Sequence, residues 1–153
     1  MSMRALLHEL NTRWLSHEPP ATEDEARMLA SESAIPLSLE YLELLQCVNG
    51  GEAQLTIDPW WFQLWSTREV GEHNRGYEVS QLHPGYHGFG CSGGGVMFAF
   101  KKDAVPQSKV FGIPFDSIDF EDVYVIAKDL VELVKAIGET PKPAAEPTDQ
   151  RNG

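Results

Sequence analysis

Gly90-Cys91-Ser92-Gly93-Gly94-Gly95-Val96-Met97-Phe98-Ala99-Phe100 joins a run of glycines to an unbroken apolar run. A phosphate-cradling loop needs a lysine and a serine or threonine at the start of a helix after its glycines. Here a β-type run follows, so the glycines read as a tight, positive-φ turn leading into a buried strand. On either side of it, residues 54–57, 61–65, 96–100 and 109–113 are short apolar or alternating runs bounded by turn residues, and residues 123–126 form another. They predict a largely antiparallel sheet. Residues 66–80 hold Glu69, Glu72 and Asn74 and read as a short helix or irregular loop, followed by a Gly- and His-rich stretch to Gly95.

Helical periodicity flanks these runs. Met3, Leu6, Leu7, Leu10 and Trp14 recur at spacings of three and four, which lays one apolar stripe along a helix that Pro19-Pro20 must stop. Thr22 with Glu25 is a capping-box pair, and Ala26, Leu29 and Ala30 follow on one face. Ser38 can cap a third helix with Tyr41, Leu44, Leu45 and Val48 on its buried face, ended by Asn49-Gly50-Gly51. Leu130, Val131, Val134 and Ile137 stripe a last helix before Gly138. Helices, then sheet, then helix is the α+β class: a central, mostly antiparallel sheet flanked by N-terminal helices and a C-terminal helix. Residues 1–138 are expected to form one globular domain, and 139–153, with three prolines and no large apolar residue, a disordered tail.

The chain has 153 residues, of which 42% are hydrophobic, enough for a sizeable core. Its 23 acidic residues against 12 Lys and Arg give a formal net charge of −11. That balance argues against nucleic acid and anionic membranes as partners, because both demand a basic face. A basic partner, or simple solubility, fits. The acid is not evenly spread: residues 1–60 carry a net −7 and residues 113–132 a net −5. No apolar run reaches the length of a membrane span, and His8 and Glu9 interrupt the only signal-like start, so a cytoplasmic location is expected. Cys47 and Cys91 read as reduced thiols.

Candidate chemistry is sparse. His83, His87 and Cys91, four apart, could supply metal ligands or a thiol–imidazole pair, but Pro84, Gly85, Gly88 and Gly90 break the helix that would align them. No metal site, cofactor or catalytic residue is nominated. Asp116 and Asp119 could do acid–base work, yet coincidental carboxylate pairs are common in so acidic a chain. Trp60, Trp61, Phe62 and Trp65 are the densest aromatic cluster; one strand face must be core, and the other is either an interface or covered by a helix. The run Asp116, Asp119, Glu121 and Asp122 reads as a solvated loop or as a docking surface for a basic protein.

The order of motifs resembles the SUKH superfamily, which includes fungal cell-wall assembly regulators and bacterial immunity proteins. The resemblance is carried by Ile35-Pro36, a short helix and Asn49-Gly50-Gly51. It continues through Asn74 and Tyr77 as N-x-x-Y, the glycine loop running into Phe98-Ala99-Phe100, and Val110-Phe111-Gly112-Ile113-Pro114-Phe115-Asp116 before a closing helix. It covers about residues 22 to 137. The family's loop commonly reads G-S-D-G-G-G, and Cys91-Ser92 stand here where Ser-Asp would be. The resemblance implies an α+β fold, no cofactor, no enzymatic activity and, for bacterial members, a cytoplasmic protein that binds and neutralises a cognate toxin domain, often a nuclease. The expected docking residues are Asp116, Asp119, Glu121 and Asp122 with the exposed members of Trp60, Trp61 and Trp65. The alternative is a regulatory scaffold for an endogenous partner.

Overall fold

The computed structural model describes residues 2–10, 14–116 and 120–138. Its elements are, in order, α1 (Met3–Leu10), β1 (Ser16–His17), α2 (Glu23–Glu32), α3 (Leu39–Leu45), β2 (Gly51–Gln54), β3 (Trp61–Leu64), α4 (Thr67–Gly76), α5 (Val79–Leu82), β4 (Tyr86–Cys91), β5 (Val96–Lys101), β6 (Val110–Pro114), β7 (Tyr124–Ala127) and α6 (Leu130–Lys135). The strands form one sheet in chain order β1 to β7, every neighbouring pair antiparallel. The α+β arrangement with helices before and after the sheet is therefore present. The expected tail at 139–153 lies outside the described residues.

Local chemistry accounts for the helix starts. The Thr22 hydroxyl accepts from the Glu25 amide while the Glu25 carboxylate accepts from the Thr22 amide, a reciprocal box that satisfies donors the helix itself cannot. Ser38 caps α3 by accepting from the Tyr41 amide. A second box, Ser66 with Glu69, starts α4, which turns the ambiguous 66–80 segment into two helices. α1 packs on α3 and α6, and together they cover the sheet face that carries Phe62, Phe98 and Phe100. Tyr41 from α3 reaches that face, with its ring 4.9 Å from Phe100 and 5.5 Å from Phe89.

Two boundaries differ from the sequence expectation. The predicted strand at 54–57 is β2, and it starts three residues earlier. Gly50 alone turns left-handed, at φ +106°, and Gly51 already pairs with β1, so close to Ser16 that an added Cβ would lie 2.6 Å from its carbonyl oxygen. Leu55 then leaves the sheet to bridge Ile137 just past α6.

The larger difference is β4, the Gly- and His-rich stretch not read as a strand, which lies at the centre of the sheet. Gly88 pairs with Ala99 and Gly90 with Phe98, so Phe89 is the extra residue of a β-bulge. Its ring lies parallel to Phe100 at 4.1 Å. Side chains cannot replace the glycines: a Cβ at Gly88 would sit 2.6 Å from Met97 Sδ, and one at Gly90 would sit 2.5 Å from the Gln63 carbonyl oxygen.

β3 pairs with β4 only at Gln63–Cys91 and Leu64–Gly90, after which the Trp65 amide donates to the Phe89 carbonyl and the chain departs into α4. The rest of that β4 edge would be left with unmatched backbone groups. Asn74 of α4 supplies what the missing strand would have. Its Oδ1 accepts from the Gly88 amide at 2.9 Å, and its Nδ2 donates to the Gly88 carbonyl at 2.9 Å and to the Val70 carbonyl at 2.7 Å. Asn74→Ala strips both Gly88 groups of their partners, each costing about 1–3 kcal/mol when buried. Urea unfolding should show a loss of about 3 kcal/mol, and Asn74→Asp, which keeps only the acceptor, should also be destabilised.

Candidate protein-docking site

In a sheet of this topology the connections alternate between its two ends. The Leu55–Trp60 segment between β2 and β3, the Ser92–Gly95 turn between β4 and β5, and the connection from Phe115 to Val123 between β6 and β7 therefore gather at one end. They touch: the Phe115 amide donates to the Gly95 carbonyl at 2.8 Å, and a Cβ on Gly93 would lie 3.0 Å from the Trp61 ring. The sheet thus draws Trp60 and the described acids Asp116, Glu121 and Asp122, more than fifty residues apart in sequence, to one end.

The four expected acids fare differently. Asp116 is exposed, and Glu121 and Asp122 are exposed on a short 3₁₀ turn, Phe120–Asp122. Asp119 lies outside the described residues. Asp58, which sequence reading passed over, joins them: burial first, and the Asp58 carboxylate second, push the Tyr124 hydroxyl above its ordinary pKa. The meander puts the β2–β3 and β6–β7 connections at the same end of the sheet, but the approach of Asp58 to Tyr124 across β4 and β5 is visible only in the fold.

The tryptophans also separate. Trp60 is 54% exposed and has φ +74°, a left-handed conformation that costs a bulky L-residue about 1–2 kcal/mol. The Trp60 amide donates to the Ile57 carbonyl, and its own carbonyl accepts from Leu55, so the turn holds it in this conformation. Trp61 is half-buried. Trp65 is 4% exposed and is unavailable as a docking residue. Its ring is 4.4 Å from His73, which continues through Tyr77 to Phe115, an aromatic row that occupies the sheet face opposite the phenylalanines. Helix α4 covers that side of the cluster.

The His83, His87 and Cys91 trio does not converge. His87 is in register with Phe100 and Cys91 with Met97, three residues apart on β5, so the two side chains leave opposite faces of the sheet. Cys91 donates to Gln63 Oε1 at 3.0 Å, and Cys47 and Cys91 are free thiols. Among the described residues no group of three His, Cys, Asp or Glu is placed to hold a metal ion, and no helix is long and apolar enough to cross a membrane. A polar cleft of about 640 Å³ lies beside the start of α4, lined by Glu25, Glu52 and Glu69 among others. Each of these carboxylates accepts a structural hydrogen bond, from the Thr22 amide, Gln63 Nε2 and the Ser66 amide respectively. These three acids serve folding; Glu18, which also lines the cleft, is exposed.

His87 is 5% exposed. Its Nδ1 lies 3.3 Å from Ser33 Oγ, its Nε2 has no hydrogen-bond partner among the described residues, and burial lowers its pKa to about 4. The folded state thus resists a proton that the unfolded chain binds near 6.5, and between those values stability falls as pH falls. The loss grows from about pH 6.5 downward and reaches at most about 3 kcal/mol near pH 4. Denaturant titrations should show this drop in the wild type to be larger than in His87→Gln over that window; equal pH slopes would contradict the assignment.

The chain matches no protein-family model and no curated protein.

Proposed function

We propose that the protein is a non-enzymatic, immunity-type binding protein that neutralises a cognate toxin domain in the cytoplasm by direct contact. Two lines support this reading: the SUKH-like order of motifs, and the presence of Asp58, Asp116, Glu121 and Asp122 at the same end of the sheet as the exposed Trp60. The second carries the mechanism. Clustered carboxylates raise the encounter rate with a basic surface and select against acidic ones, while a desolvated aromatic ring slows dissociation. A nuclease toxin, whose substrate site must be basic, is the partner this charge fits best.

Trp60 lends the reading a further physical argument. An aromatic side chain held in solvent at an unfavourable φ contributes little to folding, so its presence is better accounted for by what it touches in a complex.

Co-expression with the toxin-like product of the adjacent gene should give a stable complex and restore growth, and absence of both would sink the proposal. A complex without rescue would favour the regulatory scaffold. Asp58→Lys with Asp116→Lys should slow association by about tenfold at low salt and flatten its salt dependence. Trp60→Gly should behave differently. Glycine accepts positive φ freely, so thermal stability should hold or rise, while dissociation of the complex quickens by about tenfold or more.

A further inference from the structure

The loop between β5 and β6, at the end of the sheet away from Trp60, is locally basic. In a chain with roughly twice as many acids as bases, Lys101, Lys102 and Lys109 line a single cleft of about 490 Å³ with Ala104, Val105 and Phe111. The last registered pair of β5 and β6 is Ala99–Phe111; Lys101 ends β5 and Lys109 immediately precedes β6, so the two flank the same loop. Like charges in one cleft repel each other. None of the three lysines makes an ion pair with a described carboxylate, although Asp103 lines the same cleft.

The lysines are nevertheless held in place. The Lys101 ammonium stands 5.7 Å from the centroid of the Tyr86 ring, and that of Lys109 stands 5.7 Å from Phe111. The connecting loop is tied down by the Lys102 amide donating to the Gly85 carbonyl at 2.7 Å, by Gln107 donating to the Pro36 carbonyl at 3.0 Å, and by Ser108, whose hydroxyl accepts from the Leu130 amide. On this anchored loop Val105 is 87% exposed beside the charges.

We propose that this cleft binds an acidic, aliphatic-containing segment of a second partner protein, at the end of the sheet away from Trp60. The Lys101 and Lys109 ammoniums offer point charges that pair with carboxylates. An exposed valine on a fixed loop offers apolar contact that a free oxyanion would not use. Asp103 on the rim adds selectivity, since it repels an acidic ligand placed out of register. Binding would relieve the Lys101–Lys109 repulsion, so the ligand should raise the melting temperature as well as bind. With its other end acidic, the protein would join a basic partner to an acidic one.

The test uses the full chain and a short synthetic peptide alternating glutamate and leucine, with a lysine–leucine peptide, inorganic phosphate and an all-glutamate peptide as controls. Calorimetry at low salt should show saturable binding of the Glu–Leu peptide only, with backbone amide shifts confined to residues 85–86 and 101–111 and a rise in melting temperature. Lys101→Glu with Lys109→Glu should weaken binding by about tenfold or more, and Val105→Ser by a few-fold. Val105→Ser removes only an exposed side chain and keeps the proposal falsifiable should the lysine variant not fold. No saturable binding, unchanged affinity in both variants, or equal binding of phosphate or the all-glutamate peptide would overturn it. So would peptide affinity that falls as protein concentration rises while the chain self-associates, because the occupant would then be a second copy.

Discussion

The Asn74 side chain paired with the Gly88 backbone is the interaction on which the rest of the fold depends. β3 leaves the sheet after Leu64, and the centre of the sheet would otherwise present an unpaired edge beside Gly88. One amide imitates a strand there, donating and accepting as a backbone would, and it simultaneously fastens α4 through Val70. With α4 fixed, His73 and Tyr77 are brought over Trp65, and the row continues to Phe115 at the start of the β6–β7 connection. Because the Phe115 amide also bonds the Gly95 carbonyl, the clamp is linked through packed rings to the end of the sheet that carries the acids. A docking surface assembled from three loops needs such a frame, since loops alone would hold neither the carboxylates nor Trp60 in register.

Local charge clusters form along the same frame. Alternate connections of a meander return to the same end, so residues distant in sequence are pooled by topology. Asp58, Asp116, Glu121 and Asp122 go to one end, and Lys101, Lys102 and Lys109 to the other. The β5–β6 loop is thus a local basic patch in a chain of net charge −11, whose β1–β2 connection, residues 18–50, stays acidic.

Much of this was legible in the sequence, for reasons that are local. Thr22 with Glu25 and Ser38 before Tyr41 name helix starts because their hydrogen bonds are made within four residues, and the unbroken run Val96-Met97-Phe98-Ala99-Phe100 names a strand buried on both faces. What escaped was non-local. Tyr86-His87-Gly88-Phe89-Gly90-Cys91 carries two glycines and a bulge that erase alternation, and those glycines are required by Met97 and Gln63, atoms that only the folded chain brings near. Asp58 was missed for the same reason, as nothing beside it in sequence hints at Tyr124. Trp65 failed as a surface residue because the helix that covers it, α4, was an ambiguous segment whose Ser66–Glu69 box went unread.

The acidic end of the sheet that carries Trp60 is the proposed docking surface. Hydrogen–deuterium exchange of the protein alone and in complex with its basic partner tests this most directly. Protection should concentrate on the amides of residues 55–61, 92–96 and 120–124, with the α4 start and the Lys101–Lys109 loop unchanged. Protection centred instead on the cleft beside Glu52 and Glu69, with the Trp60 turn exchanging as in the free protein, would contradict it.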